Sequence, residues 1–177
     1  SGGSTSGSDE SSSSQGFLFF AEKDLGAFAS AMAAEESKRS PSERICVDDV
    51  DPAEAVYMES VESKHSDHEF AQQVAALAGV TKPPTRIDSQ AKYGVIAAGK
   101  ASAFMRFPEA SYKENIWDHA AGAVIMSEAG GVVSDSKGNP LDFSKGRILN
   151  NANGIVAAPP VLHKRIIDAI RTLQDNQ

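Results

Sequence analysis

The sequence predicts an α/β fold on three observations. Short apolar runs that read as strands alternate with stretches whose apolar residues recur at helical spacing. Gly and Pro mark most of the junctions between them. The 177 residues are 41% hydrophobic and 23% charged, proportions of a chain that builds a core at single-domain length.

The elements follow in order. Residues 1–15, SGGSTSGSDESSSSQ, hold eight Ser and three Gly and predict a disordered loop or tail, with the folded part at 16–177. GFLFFA at 16–21 reads as a buried strand because its apolar residues are unbroken. The stretch from Asp24 to Ser42 turns from Ala-rich to polar and predicts a weak strand or helix, then a loop at Ser40-Pro41-Ser42. Ile45–Val47 predicts a short strand running into an acidic corner, Asp48-Asp49-Val50-Asp51. Pro52 suits a first helical turn, and Ala55, Val56, Met58 and Val61 predict a helix behind it.

Ser66-Asp67-His68-Glu69 reads as a capping box, with Ser66 as the cap. It opens a helix carrying Phe70, Val74 and Leu77 on one face and ending at Gly79. Thr85–Ile87 predicts a strand, and Gln90–Ala98 a helix capped by Ser89 and closed by Gly99. Ser102–Phe107 is the next strand. The strongest helix runs from Ile116 to Ala129, with Trp117, Ala120, Ala121, Val124 and Ile125 as its apolar face and Gly130-Gly131 as its stop. Val132–Ser134 and GIVAAP predict two more strands. Pro159-Pro160 opens a last amphipathic helix with Ile166, Ile167, Ile170 and Leu173 on one side.

Charge narrows the ligand class. Lys plus Arg number 17 against 24 Asp plus Glu, a net charge of −7. A nucleic acid polymer would call for a basic footprint, so the balance excludes that partner and leaves room for a small anion held by a few placed cations. The single cysteine, Cys46, rules out an internal disulfide or a multi-cysteine zinc site. No apolar run has the length of a bilayer span, so no membrane role is expected. With no signal-peptide pattern, an intracellular setting is expected, with cytoplasm, chloroplast and mitochondrion all open.

Four places carry candidate chemistry. Asp118 lies in the first turn of a helix above the small residues Ala120-Ala121-Gly122, which let a ligand come close; a first-turn acid also serves the helix dipole. Ser89, Lys92 and Arg106 suggest an anion site, with a cap, a surface ammonium and an ion pair as their structural alternatives. His65 and His68 stand at i, i+3 but lack an adjacent third metal ligand, so a ligand-facing or capping histidine is expected there. The acidic corner at 48–51 with Glu54 reads first as solvated loop carboxylates.

Together these signals form a pattern. WDHAAG at 117–122, EAGG at 128–131 and LDF-x-x-GR at 141–147 resemble the lithium-sensitive, magnesium-dependent phosphomonoesterases related to inositol monophosphatase. HSDH at 65–68, DSQAKYG at 88–94 and FMRFPEASYKENIWDHAAG at 104–122 look, within them, like the 3′(2′),5′-bisphosphate nucleotidases of plants and algae. The resemblance implies hydrolysis of 3′-phosphoadenosine 5′-phosphate, a sulfur-assimilation by-product, to AMP and phosphate; some plant members also act on inositol 1,4-bisphosphate. It implies Mg2+ as cofactor, Asp118 as a metal ligand, and Lys92 and Arg106 as the cations on the phosphates. Ser89, His65 and Ser66 would line the nucleotide pocket.

The resemblance also implies a layered α-β-α-β-α sandwich, of which residues 16–177 would form the C-terminal α-β-α lobe, with the N-terminal lobe missing. Members of that family are about twice as long. Their upstream half carries an Asp-Pro-Ile/Leu-Asp-Gly-Thr motif and a Glu-containing motif, which bind most of the metal and help activate water. Val50-Asp51-Pro52-Ala53 lacks the second Asp and the Gly-Thr. No catalytic residue is therefore assigned within this chain. A weak or inactive isolated chain is expected, able to pair with the missing lobe; the alternative is a non-catalytic nucleotide-binding fragment.

Overall fold

The computed structural model describes residues 16–33, 40–62, 66–109, 111–149 and 154–176, so the Ser/Gly-rich stretch at 1–15 and His65 lie outside the described residues. Two sheets organise the chain. Strands β1 (Gly16–Glu22), β2 (Gly26–Met32) and β3 (Glu43–Ile45) form an antiparallel sheet in that order. The second sheet has the order β5-β4-β6-β8-β7, from β4 (Tyr57–Glu59), β5 (Thr85–Arg86), β6 (Ala103–Arg106), β7 (Val132–Asp135) and β8 (Ile155–Ala158). Strand β4 runs parallel to β5 and β6, whereas β8 is antiparallel to β6 and β7.

Four helices cover this second sheet: α1 (His68–Ala78), α2 (Lys92–Ala97), α3 (Ile116–Glu128) and α4 (Pro160–Asp175). The two-residue period of the strands sorts them into layers. Tyr57, Ala103, Met105, Val156 and Ala158 pack with Ala71 and Val74 of α1 and Leu162, Ile166 and Ile170 of α4. The alternate residues Met58, Phe104, Ile155 and Ala157 pack with Tyr93 and Ile96 of α2 and Met126 of α3. Each large side chain buried in this way contributes roughly 1.5–3 kcal/mol. The five-stranded sheet is thus sandwiched between helix pairs, as the α/β reading expects.

The three-stranded sheet rests on the α2–α3 layer. The Glu128 carboxylate accepts from the N–H groups of Asp24 and Gly26, at 3.1 Å each, and so ties the β1–β2 turn to the end of α3. Among the described residues, no helix is long and apolar enough to cross a membrane.

Several sequence expectations are corrected. The helix expected from Pro52 is a single 3-10 turn, Pro52–Glu54, followed by strand β4. All three β4 residues are buried, and a strand covered on both faces shows no alternation to separate it from a helical run. The α1 cap is Asp67, whose carboxylate accepts from Phe70 N at 2.9 Å, rather than Ser66. Leu77 of that helix is 55% exposed, and the buried face is Ala71, Val74, Ala75 and Ala78. Helix α2 starts at Lys92, and Ser89 instead holds a turn by accepting from Ala91 N at 3.0 Å. Strand β3 ends at Ile45, where the strand was expected to begin.

Helix α3 departs most. Its buried residues are His119, Ala123 and Met126, while Trp117 is 59% exposed and Val124 is 48% exposed. The small residues near Asp118 accommodate a neighbouring side chain: a Cβ on Gly122 would stand 2.2 Å from the Tyr93 ring and 2.9 Å from its Cβ. Gly122→Ala should therefore separate α2 from α3. Overpacking of this kind costs about 1–3 kcal/mol, more than the roughly 1 kcal/mol that alanine returns in helix propensity. Urea unfolding should show a net loss, and an unchanged or higher midpoint would contradict this packing.

Candidate functional site

The parallel strands β4, β5 and β6 all end on the same side of the sheet, and in α/β sheets ligands settle outside such carboxyl ends. Ser60 directly follows β4, Asp88 lies just past β5, and Arg106 is the last residue of β6. Lys92 starts α2, and Asp118 stands in the first turn of α3. These five side chains, with Ser89, Gln90 and Tyr112, line a pocket of about 310 Å³.

Four of the residues singled out in the sequence, Ser89, Lys92, Arg106 and Asp118, thus meet in one cavity. Ser66 is buried beside α1, its hydroxyl without a hydrogen-bond partner, and is not among the residues lining the pocket. The acidic corner serves other purposes. Asp51 caps the 3-10 turn through Ala53 N at 3.0 Å, Glu54 pairs with Lys82, and Asp48 and Asp49 border a separate cavity of about 190 Å³. His68 is committed to the Ser60 carbonyl, with Nε2 at 2.8 Å.

Lys92 is 1% exposed. Its ammonium donates to the Ile87 carbonyl at 2.7 Å and stands 5.0 Å from the Phe104 ring centroid. Burial, reinforced by the nearby Arg106 charge and only partly opposed by Asp88, pulls the Lys92 pKa down to about 8. An anion beside this ammonium would favour its charged form and offset that drop.

Arg106 is held from several sides. Its Nε and Nη2 fork onto Glu114 at 2.5 and 3.2 Å, Nη1 donates to Ser60 Oγ at 3.0 Å, and the Tyr112 ring lies 5.4 Å from its centre. Glu114 is itself bracketed by His119, whose Nε2 lies 3.1 Å away, and His119 Nδ1 meets the Tyr93 hydroxyl at 2.9 Å. His119 thus bridges the Glu114 carboxylate and the Tyr93 hydroxyl through its two ring nitrogens. Burial pushes the Glu114 carboxyl up, but the hydrogen bonds from His119 and Arg106 and the Arg106 charge outweigh it and hold the group below its ordinary value. Burial raises the Tyr93 phenol, with the Glu114 charge adding to the rise.

Ser60, Tyr112, Glu114 and His119 escaped the sequence reading. Glu114 and His119 both fall inside the 104–122 stretch on which the family resemblance rests, and that was their only signal. The pocket offers two cations, hydroxyls and two carboxylates, Asp118 half-buried and Asp88 exposed, a set suited to binding a phosphorylated small molecule. A divalent ion is not completed by it. Asp118 and Asp88 are two carboxylates, Asp88 already accepting from Val61 N at 2.8 Å, and the described residues gather no group of three or more His, Cys, Asp or Glu able to hold a metal. Magnesium needs several oxygen ligands, so these residues alone do not fit it.

Comparison with known proteins gives a consistent set. The model of the inositol monophosphatase family matches residues 14–175. A protein of Oryza sativa named 3′(2′),5′-bisphosphate nucleotidase is 44% identical over 161 residues, covering 88% of this chain and 44% of that protein. A protein of the same name from Emericella nidulans is 43% identical over 171 residues, covering 95% of this chain and 48% of its own length. The chain therefore spans about half the length of the curated relatives it matches. Among solved structures, CysQ from Bacteroides thetaiotaomicron, a bacterial member of the inositol monophosphatase family, aligns with a TM-score of 0.59 at 27% identity, over 80% of this chain and 54% of that one. The extragenic suppressor protein SuhB from Bartonella henselae aligns with a TM-score of 0.62 at 21% identity, over 88% and 54%, a likeness of fold.

Proposed function

The chain belongs to the inositol monophosphatase family, and from that membership we propose that it is the phosphate-holding half of a 3′(2′),5′-bisphosphate nucleotidase. The observation that carries the reading is the pocket itself: Ser89 from a turn, Lys92 and Asp118 from two helices and Arg106 from a strand converge on one cavity. Lys92 and Arg106 would hold the phosphate groups of 3′-phosphoadenosine 5′-phosphate, because two cations side by side in one pocket suit a ligand carrying two phosphates. Ser89 would add a hydroxyl to that grip.

Magnesium, when bound in a phosphatase centre, polarises the phosphoryl group and lowers the pKa of the attacking water. Asp118 would give it one oxygen. The other ligands would come from a partner lobe outside the described residues, so no hydrolytic step is assigned to this chain. The isolated chain is then a binding module with little or no turnover.

Calorimetry with 3′-phosphoadenosine 5′-phosphate, run beside a phosphate-release assay in magnesium, tests both halves of the reading. Binding without release above an Asp118→Ala control is the expected result. Failure to bind would refute the assignment of the pocket. Release that disappears in Asp118→Ala would show a complete centre and refute the binding-module half.

A further inference from the structure

We infer that Glu114 is a positioning residue for phosphate binding, acting through Arg106, an inference that rests on the pocket being a phosphate site. Three of the five guanidinium N–H groups of Arg106 are committed, two to Glu114 and one to Ser60, and the Tyr112 ring stands over the group. The remaining donors belong to a side chain that lines the pocket beside Lys92. Unrestrained, an arginine samples many rotamers and loses that freedom on binding; this one is already fixed.

The restraint extends backwards. Glu114 is 2% exposed and is itself held by His119, which meets Tyr93, and Tyr93 is wedged against Gly122. The orientation of one pocket cation is thereby tied to the packing of α2 on α3. None of these three supporting groups is among the residues that line the cavity.

A carboxylate so close to Arg106 could instead simply cancel its charge, and the two roles differ in sign. Cancellation makes Glu114→Gln bind phosphate more tightly, whereas positioning makes it bind more weakly. The test is calorimetric titration of the whole chain with 3′-phosphoadenosine 5′-phosphate, with circular dichroism as the check on folding. Positioning predicts that Glu114→Gln loses about tenfold in affinity, a typical loss when one charge-assisted contact is misaligned. In an Arg106→Met background the same substitution should cost nothing further, because its effect passes through the guanidinium; a purely structural role would still lower affinity there.

Ser60→Ala removes one restraint and no charge, so it serves if Glu114→Gln does not fold; it should lose roughly threefold, and nothing further in an Arg106→Met background, where a direct contact of Ser60 with the ligand would still show. Unchanged or tighter binding by Glu114→Gln, or unchanged binding by Ser60→Ala, overturns the inference while leaving the phosphate site intact. Failure of the unsubstituted chain to bind overturns the site and this inference with it.

Discussion

Glu114→Ala is expected to lower the free energy of unfolding by about 3–5 kcal/mol, the range seen when one partner of a buried ion pair is deleted. Arg106 is 5% exposed and would keep a full charge with Ser60 as its remaining hydrogen-bond partner among the described residues. His119 is fully buried and would lose its partner at Nε2. Both losses act at once, and domains of this kind have only about 5–15 kcal/mol in total. The lost carboxylate, rather than the space it leaves, should dominate. Arg106→Met combined with Glu114→Gln should therefore recover part of the stability, since no unpaired charge remains buried. Urea denaturation of the single and double variants measures this. A loss below about 1 kcal/mol for Glu114→Ala would mean that the pair is hydrated, as exposed pairs are.

The same network shows where sequence reasoning reached and where it stopped. Lys92 and Arg106 could be singled out because a cation at a helix start or at the end of an apolar strand stands out against its neighbours. Glu114 could not. Its partners Arg106 and His119 lie 8 and 5 residues away, and Ser60, which holds Arg106 across a separation of 46 residues, is brought close only by the fold. Strand β4 was hidden for a related reason: covered on both faces, Tyr57-Met58-Glu59 offers no period, and Pro52 ahead of it favours a helix.

Helix α3 was found, but its buried face was not. Apolar residues occur around much of its circumference, so Trp117 and Val124 look like core when read against Ala120 and Ala121. Burial went instead to the face carrying His119, whose imidazole is satisfied by Glu114 and Tyr93. A polar residue with two buried partners can occupy a core position that a hydrophobicity pattern assigns to something else.

Lys92→Met should separate binding from stability. Methionine keeps an unbranched, flexible side chain only one atom shorter than lysine's, and its sulfur can rest on the Phe104 ring that the ammonium now faces at 5.0 Å. The hydrogen bond to the Ile87 carbonyl is lost, but a desolvated charge is lost with it, so stability at pH 7 should move by no more than about 1 kcal/mol. Affinity for a bisphosphorylated ligand should fall roughly 50–100-fold, the equivalent of one strong charge-assisted contact.

The pH dependence has a definite sign. The folded pKa of Lys92, about 8, lies below the ordinary 10.5, so the unfolded chain holds the proton more tightly. The resulting destabilisation is fully present below pH 8 and is relieved as pH rises from 8 towards 10.5, so the wild type should gain stability on the methionine variant across that window. Binding runs the opposite way. A phosphate monoester is already fully ionised above pH 7, with its second pKa about 6, so further alkalinity changes only the lysine. Wild-type affinity should weaken as pH climbs from 7 to 9.5 in titrations in which the variant stays flat. A variant as tight as the wild type at pH 7 would show that the ammonium does not touch the ligand, and the phosphate would then rest on Arg106 alone.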